Sequence, residues 1–366
     1  IKMTSPEGLH YSSVRIEMTA KPTCVLWHPR REEDVEDRFL TVNSEFKIKQ
    51  YNIDSKQCRK TTLAPRYGFP PNELLIVPYS TINQSDQTGQ QLWQSTFIFS
   101  THHRIIGVGH FPLDGNPEKT MGIVAHPGEI TSIAVSFDGK FVFSAGGSDL
   151  TVNMWNLFEE YPDLTDQSNN SILPYLQLLE GGPYGELHQN LIDYFYYCQL
   201  RHGGEDTLDT RFLSGKIPLE EIPALMRSVG FYPSEEEVLN MINEIRYKYF
   251  MVTGETQDFI EMDELIRLYT NHRPVIPLEK HLISQAFTTI NQRINPHVNH
   301  SSIAFGKIKE VLTKEGEKID SSDLETYLSA LVGEPSQNGE TLIDNSSYIN
   351  SKVFATKVLG FDDDYT

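Results

Sequence analysis

Apolar side chains in the first 157 residues alternate with polar ones in short runs, and turn signals separate the runs. Over residues 130–137 the alternation has a period of two, which predicts a β-strand with one buried face. The turn FDG at 137–139 leads to an apolar run at Phe141–Ser144, and the GGSD turn leads to another at Thr151–Trp155. This order of runs and tight turns predicts three antiparallel strands.

Two weaker copies of this pattern come earlier, one over Cys24–Ile53 and one over Thr96–Leu113. Both keep the spacing of strands and turns, and the first carries an acidic insert at Arg31–Asp37. Repeats roughly 40–60 residues apart, each made of several short strands, are typical of propeller blades with loop insertions. Residues 1–157 are therefore predicted to form a series of similar β-sheet repeats.

The strongest of these repeats resembles a WD40 repeat through four residues: His126, Ser144, Asp149 and Trp155. In that family these side chains form a hydrogen-bond chain inside one blade, so the resemblance implies a structural tetrad and no catalytic role. Buried polar groups need partners, and such a chain therefore specifies one packing arrangement.

The resemblance implies that residues 1–157 are blades of a WD40 β-propeller. Three blades do not close a ring, because propellers have about four to eight. We therefore expect these to be the last blades of a propeller whose remainder lies upstream of Ile1. A processed fragment docked to other chains is the alternative.

The pattern changes to a helical one at Leu187. Leu187, Leu191 and Phe195 lie four residues apart, which places them on one face of a helix. The preceding residues 158–186, which begin with a run rich in Asp, Asn and Pro, are predicted to be an acidic linker.

The segment Met226–Ile245 resembles the connection between two EF-hands of calmodulin. The resemblance implies a calmodulin-like helical domain with two EF-hand-like lobes. The first lobe covers residues 187–275, and the second covers 276–366 together with a tail. The fold class expected for the whole chain is multidomain β plus α.

The candidate calcium loops carry the wrong residues. An EF-hand binds calcium through oxygen ligands that end with a bidentate Glu at loop position twelve. Aligning the four loops on their apolar position eight places that position at Ile217, Ile260, Ile303 and Ile349. Position twelve is then occupied by Glu221, Glu264, Lys307 and Val353. Carboxylates are scarce at the early positions, so we expect no bound calcium and no other cofactor. If an ion were bound, Asp209, Glu221 and Glu264 would be its candidate ligands.

Methionines are concentrated in the first lobe: Met226, Met241, Met251 and Met262. Methionine adapts its shape and is common on surfaces that bind many partners. The cluster predicts a groove for a basic amphipathic partner helix, and ordinary core packing is the alternative.

Charge is placed unevenly. Residues 1–157 carry 15 Lys and Arg against 16 Asp and Glu, whereas residues 158–366 carry 16 against 34, a net charge of −18. This acidity argues against binding to nucleic acid or to an anionic membrane and suits a basic partner. No apolar run reaches the length of a membrane span, and the three cysteines are widely spaced. We found no P-loop, no GxSxG motif and no zinc spacing, so we expect no enzyme activity.

Blades of this type followed by degenerate EF-hands are an uncommon combination. Together with the segments RFLTVNSEFKIKQYN, SFDGKFVFSAGGSDLTVNMW and VLGFD, they make the chain resemble the ciliary and flagellar family of WD-repeat subunits of the calmodulin- and spoke-associated complex. The resemblance implies a structural scaffold at the base of radial spoke 3 on the axonemal doublet microtubule. Other subunits of the complex would be its partners, and calmodulin is a possible one.

Two other functions remain open at this stage. One is a calcium-responsive regulatory subunit, in which a non-standard loop still binds the ion. The other is a cytoplasmic WD-repeat microtubule adaptor that acts outside the cilium.

Overall fold

The computed structural model divides the chain into two compact units, Ile1–Val275 and Ile276–Thr366. The first unit combines β-sheets with helices, and the second is mainly helical. The fold is therefore mixed β and α. The structure describes residues 2–4, 10–13, 16, 20–29, 36–78, 82–85, 91–157, 171–204, 210, 213–276, 280–294, 302–316, 318–332 and 348–360.

The first unit begins with a strand pair and a four-stranded antiparallel sheet. The pair is β1 (Lys2–Thr4) with β2 (His10–Ser13). The sheet follows in chain order: β3 (Pro22–Trp27), β4 (Arg38–Asn43), β5 (Lys47–Asn52) and β6 (Cys58–Leu63). Nearly every residue of β4 and β5 is buried, so both faces of these central strands are covered.

A seven-stranded antiparallel sheet follows. Its strands are β7 (Pro71–Ile76), β8 (Ile82–Ser85), β9 (Gln91–Thr101), β10 (His103–Phe111), β11 (Thr120–Val135), β12 (Phe141–Gly146) and β13 (Val152–Asn156). The spatial order is β13-β12-β11-β10-β9-β7, and β8 pairs with β9. The 16-residue β11 pairs with β10 through its first half and with β12 through its second half, so the sheet continues from one repeat into the next as it curls. The three strands predicted between residues 130 and 155 are present as the second half of β11, β12 and β13.

Aromatic side chains join the two sheets. Phe97 and Phe99 of β9 and Phe111 of β10 are fully buried and pack with Leu40 and other apolar residues of the four-stranded sheet. Phe97 and Phe111 meet edge to face, with ring centroids 5.3 Å apart. Gly109 of β10 leaves room for this packing, because a Cβ atom there would lie 2.4 Å from the Phe97 ring.

The helical part of the first unit begins with α1 (Leu173–Leu176), α2 (Glu186–His202) and β14 (Lys216–Pro218). It continues with α3 (Ile222–Ser228), α4 (Glu235–Arg246), α5 (Phe250–Thr253), β15 (Phe259–Glu261) and α6 (Met262–His272). Strands β14 and β15 pair antiparallel, with Ile217 opposite Ile260. Ser234 and Glu237 form a capping box that fixes the start of α4.

The linker predicted over residues 158–186 includes a segment that is folded. Residues 158–170 lie outside the described part of the chain. Residues 171–186, however, are folded: Tyr175, Leu176 and Leu179 are buried in the same core as α2 and α6. The reason is that these three apolar residues fall on one face of the short helical segment and can be covered by the larger helices, so the C-terminal half of the predicted linker is wrong.

The second unit repeats the order helix, strand, helix, helix, strand, helix. Its elements are α7 (Lys280–Ile294), β16 (Ser302–Ala304), α8 (Phe305–Lys314), α9 (Ser321–Val332), β17 (Tyr348–Asn350) and α10 (Ser351–Val353), which runs into a π-helical turn at Phe354–Val358. Ile303 lies opposite Ile349 in the pair β16–β17, and both are buried. Across the described residues of both units, no helix combines the length and the apolar character needed to cross a bilayer.

The isoleucine pair between β14 and β15 should matter for stability. Ile260 is fully buried, and its replacement by Ala leaves a cavity in the core of the first unit. We expect Ile260→Ala to lower the free energy of unfolding by about 3 kcal/mol in urea titrations followed by circular dichroism. Leu239→Ala on the exposed side of α4 is the matched control, with an expected change below about 0.5 kcal/mol. Equal effects of the two substitutions would contradict this assignment of the core.

Candidate functional site

The structure brings His126, Ser144, Asp149 and Trp155 together at the junction of β11, β12 and β13. His126 Nδ1 lies 2.8 Å from an Asp149 carboxylate oxygen, and His126 Nε2 lies 2.9 Å from Ser144 Oγ. Trp155 Nε1 lies 2.9 Å from the same hydroxyl oxygen. His126 and Ser144 are buried, and the side chain of Asp149 is 15% exposed.

These four groups form one directed hydrogen-bond chain. Trp155 N–H donates to Ser144 Oγ, Ser144 O–H donates to His126 Nε2, and His126 Nδ1–H donates to Asp149. This order uses each donor once and places the proton that His126 donates on Nδ1. The hydrogen bond from His126 lowers the pKa of Asp149, and a second one from Thr151 adds to the effect.

A Ser–His–Asp series can also be a catalytic triad, but here the serine is blocked. Ser144 has no exposed surface, and its hydroxyl oxygen already accepts the indole N–H of Trp155. A nucleophile must reach a substrate atom, and this oxygen cannot. The arrangement therefore fixes the packing of three strands.

Gly146 is part of this cluster, although the sequence pattern did not single it out. A Cβ atom at Gly146 would lie 1.7 Å from an Asp149 oxygen and 2.5 Å from His126 Nδ1. Only glycine leaves room for the histidine–carboxylate bond. The GGSD motif predicted a tight turn. The close approach of the Gly146 backbone to Asp149 and His126 is visible only in the folded structure.

The first candidate calcium carboxylate, Glu221, is already paired. It accepts a hydrogen bond from the guanidinium of Arg201 in the last turn of α2. Glu221 precedes α3, so the pair joins the helix that enters this loop to the helix that leaves it. The hydrogen bond to Glu221 raises the pKa of Arg201. The carboxylate that would bind calcium is thus already paired with the positive charge of Arg201.

The second candidate, Glu264, repeats this arrangement. Lys248, two residues after α4, donates to one Glu264 oxygen, and the side-chain amide of Gln257 donates to the other at 3.0 Å. Burial alone would lower the pKa of Lys248, but the hydrogen bond and charge of Glu264 outweigh it and raise the pKa. Both oxygens of Glu264 are therefore occupied.

The remaining positions are Asp209 and the twelfth loop positions of the second unit. Asp209 lies outside the described residues. In the second unit Lys307 pairs with Glu310 of the same helix at 2.8 Å, and Val353 is exposed. No group of three or more His, Cys, Asp or Glu side chains in the described part of the chain could hold a metal ion.

The methionines of the predicted groove differ from one another in burial. Met226 and Met241 are fully buried in the core, and Met262 is partly buried against it. Met251 lies in α5, and its side chain is outside the described part of the structure. In this arrangement Met226 and Met241 fill the core and line no open groove. The alternative interpretation, ordinary core packing, applies to these two methionines because the lobe is closed around them.

Sequence patterns did not predict the polar junction between the helical part and the four-stranded sheet of the first unit. Helices α4 and α6 pack against β6. The ammonium group of Lys47, at the start of β5, donates to the backbone carbonyls of Asn271 and, at 2.6 Å, of Arg273. These carbonyls belong to the C-terminal end of α6, where the helix dipole favours a cation. Burial lowers the pKa of Lys47 to about 7.

Carboxylate and amide side chains complete the junction. Glu244 of α4 accepts the backbone N–H of Thr61 at 3.0 Å and lies 3.1 Å from His272 Nε2. The Asn271 side chain accepts the N–H of Leu63 and donates to the carbonyl of Asp114, both at 3.0 Å. These hydrogen bonds provide partners for the backbone N–H groups of Thr61 and Leu63 on the outer edge of β6.

The loop after β10 also contributes contacts to the junction. Tyr175 of α1 donates its hydroxyl to the carbonyl of Asp114 at 3.1 Å. Gly115, with φ of 83°, lies so close to Asn271 that a Cβ atom would be 1.8 Å from the amide oxygen. The junction therefore joins the sheets, α1 and α6 within one compact unit.

Comparison with known proteins finds one family over most of the chain. Residues 186–359 match the family model described as the CFAP251 C-terminal domain. The chain is also 37% identical, over 95% of its length, to cilia- and flagella-associated protein 251 of Tetrahymena thermophila. Cilia- and flagella-associated protein 251 therefore matches across most of the chain. The Mus musculus member is 31% identical over 93% of the chain.

The chain spans about a third of the length of the curated relatives it matches, 36% of the Tetrahymena protein and 26% of the mouse protein. The relatives are named for their association with cilia and flagella, which supports a ciliary or flagellar localisation for this family.

Solved structures align only in part. A humanized mutant of the Chaetomium thermophilum Polycomb Repressive Complex 2 bound to the inhibitor GSK126 aligns with a TM-score of 0.30 and 18% identity over 41% of this chain and 29% of that chain. A crystal structure of the Mitotic Checkpoint Complex aligns with a TM-score of 0.27 and 14% identity over 41% of this chain and 38% of that chain.

The hydrogen-bond chain predicts a cost for removing its central hydroxyl. Ser144→Ala leaves the indole N–H of Trp155 and the Nε2 atom of His126 without their buried partner. We expect the free energy of unfolding to fall by about 1–3 kcal/mol, measured by urea denaturation. Ser148→Ala, in the exposed turn next to the cluster, serves as the control and should change little. A loss no larger than that of the control would contradict the role assigned to Ser144.

The buried Lys47 predicts a pH dependence of stability. Its pKa is about 7 in the folded chain and 10.5 in the unfolded chain, so between these values only the unfolded state holds the proton. The cost of burying the charge is full below pH 7, and stability is gained as the pH rises above 7. We expect the stability of the wild type relative to Lys47→Met to increase from pH 7 to pH 9, by at most about 1.4 kcal/mol per pH unit.

The measurement is a series of urea titrations at several pH values. Lys140→Met, at an exposed position before β12, is the control and should keep a constant difference from the wild type. A difference between wild type and Lys47→Met that does not change with pH would show that the ammonium is not buried at the junction.

Proposed function

We propose that the chain is a structural scaffold subunit of a ciliary axonemal complex, the calmodulin- and spoke-associated complex, at the base of radial spoke 3. In this role it supports spoke assembly and ciliary motility, has no enzyme activity and needs no cofactor. Other subunits of the complex, the spoke and the doublet microtubule are its partners. The match to cilia- and flagella-associated protein 251 across most of the chain supports the ciliary part of the proposal.

We also propose that the sheets are the last blades of a WD40 β-propeller. The directed hydrogen-bond chain from Trp155 to Asp149 supports this interpretation. The helical parts represent two degenerate EF-hand lobes. Support comes from their order of elements and from the strand pairs that place Ile217 opposite Ile260 and Ile303 opposite Ile349.

The observation that carries the proposal is the internal pairing of both candidate carboxylates. Calcium in an EF-hand connects the entering helix to the leaving helix through oxygen ligands. Here Arg201 with Glu221, and Lys248 with Glu264, make the same two connections from within the chain. A lobe whose loops are closed by its own cations does not wait for a calcium signal. It therefore acts as a permanent clamp.

The partner helices bind on the outside of the lobe. The faces of α4 and α6 are partly used by the junction with β6, and the methionines lie in the core. Helix α2, in contrast, exposes Tyr194, Tyr196 and Leu200. Tyrosine is enriched at protein interfaces, and the acidity of residues 158–366 favours a basic amphipathic partner helix at this face.

One experiment separates this proposal from its two alternatives. Detergent-extracted axonemes are prepared with about 1 mM calcium or with excess chelator, and the retained protein is quantified by mass spectrometry against tubulin. We expect equal, stoichiometric retention under both conditions. Release by chelator would indicate a calcium-responsive subunit, and absence from the axoneme would indicate a cytoplasmic adaptor.

Variants test whether the internal cations are responsible. The double substitution Arg201→Glu, Lys248→Glu places like charges against Glu221 and Glu264 and should lower retention under both conditions. Lys216→Glu makes the same kind of charge change at an exposed pair with Glu261 in the same lobe and should leave retention unchanged. Equal behaviour of the two variants would contradict the clamp mechanism.

A further inference from the structure

Helix α2 presents a continuous line of exposed side chains on the side that faces away from the core. The opposite side of the helix is fixed, because Leu191, Phe195 and Cys198 are buried among the other helices of the first unit. The exposed side chains follow one another at intervals of three or four residues, which places them along one line of the helix surface. They are Glu186, Gln189, Asp193, Tyr196, Tyr197 and Leu200, here called the α2 stripe.

The two halves of the α2 stripe differ in chemistry. The N-terminal half carries the exposed carboxylates of Glu186 and Asp193, and the side-chain amide of Gln189 donates to Asp193 at 2.9 Å. The C-terminal half is apolar and aromatic, with Tyr196 48% exposed and Leu200 37% exposed. A helix rises about 1.5 Å per residue, so Asp193 and Leu200 are about 10 Å apart. A ligand of the stripe must therefore change from basic to apolar over about two helical turns.

The charges at the two ends of α2 select one orientation of such a ligand. Arg201 and His202 occupy the last turn, and the guanidinium of Arg201 is 41% exposed although it pairs with Glu221. A basic group of the ligand would be repelled at this end, whereas at the other end it would meet the carboxylates of Glu186 and Asp193. The basic part of the ligand therefore lies over the N-terminal half of α2.

We propose that the α2 stripe binds an amphipathic helix of another protein in antiparallel orientation, and that this helix is apolar in its N-terminal half and rich in Lys and Arg in its C-terminal half. The inference rests on the proposed function, in which a basic partner helix binds this side of the lobe, and it adds the order and direction of the partner's residues.

Helix geometry and charge together determine the kind of partner. Side chains spaced three and four residues apart form a ridge that fits the groove of another helix. The stripe from Glu186 to Leu200 is about 21 Å long, which corresponds to about four turns of the partner. Basic residues are favoured near the C-terminus of a helix by the helix dipole, so the basic end of the partner is its C-terminus and lies beside the N-terminus of α2. Residues 158–366 carry 34 acidic against 16 basic residues, which favours a separate basic protein as the source of this helix.

A designed peptide tests the chemistry of the stripe. The probe is a fluorescein-labelled helical peptide of about 18 residues, built on Ala, with Leu along one face of its N-terminal half and Lys along the same face of its C-terminal half. Its affinity for the 366-residue chain is measured by fluorescence anisotropy. We expect Asp193→Lys to weaken binding about tenfold, because it places a like charge opposite the Lys residues. Asp263→Lys, at an exposed position in the first turn of α6, makes the same charge change outside the stripe and should leave the affinity unchanged.

A peptide with Glu in place of each Lys completes this test. It should bind the Asp193→Lys variant more tightly than the wild type, a rescue that a misfolded variant would not show. Absence of binding by the Lys peptide, or equal loss in the Asp193→Lys and Asp263→Lys variants, overturns the proposal.

Photo-cross-linking in axonemes tests the direction of the native partner. p-Benzoylphenylalanine replaces Gln189 or Leu200 in the full-length protein, and the cross-linked peptides are sequenced by mass spectrometry. We expect both positions to label one helix of another protein, with position 200 attached to an apolar segment and position 189 attached to a Lys- and Arg-rich segment about seven residues further toward the C-terminus. The opposite order, an acidic segment at position 189, or cross-links only within the same polypeptide or to a second copy overturn the proposal. None of these outcomes bears on retention in axonemes with calcium or chelator, so this proposal can fail while the scaffold role stands.

Discussion

The buried amino group of Lys47 fixes how helix α6 lies on the four-stranded sheet. Lys47 begins a central strand of that sheet, and its amino group donates to the last carbonyls of α6. A buried polar group is costly unless it is hydrogen-bonded, so this contact favours one placement of the helix. The neighbouring bonds of Glu244 and Asn271 to strand β6 depend on that placement. Sheet and helices are thus parts of one compact body.

The same chemistry recurs inside the helical part. Arg201 and Lys248 connect neighbouring helices through Glu221 and Glu264, the two carboxylates that the sequence offers as candidate calcium ligands. An ion can leave, and a side chain on the same polypeptide cannot. The two loops are therefore held closed by side chains of the chain itself.

The features that could be predicted from sequence are local ones. Period-two alternation located the second half of β11, and the turn signals after it located β12 and β13. Alignment on the apolar loop position selected Ile217 and Ile260, which lie opposite each other in the structure. Short-range spacing determines both features. The four side chains of the His126 cluster could be chosen because they resemble a known pattern. Lys47 could not be chosen, because a lysine next to alternating residues looks like an exposed strand position, and only the distant α6 makes it buried. The positions of Met226 and Met241 depend in the same way on whether the lobe is open or closed, which composition does not determine.

Strand β11 belongs to two repeats at once, and this has a mechanical consequence. Hydrogen bonds in an antiparallel ladder run across the strands, so tension applied along β11 would load its bonds to β10 and β12 in shear and simultaneously. Peeling one repeat from the other would require many bonds to break together, whereas an end strand can be unzipped bond by bond. The shared strand therefore couples the two repeats more firmly than a flexible connection between separate sheets would.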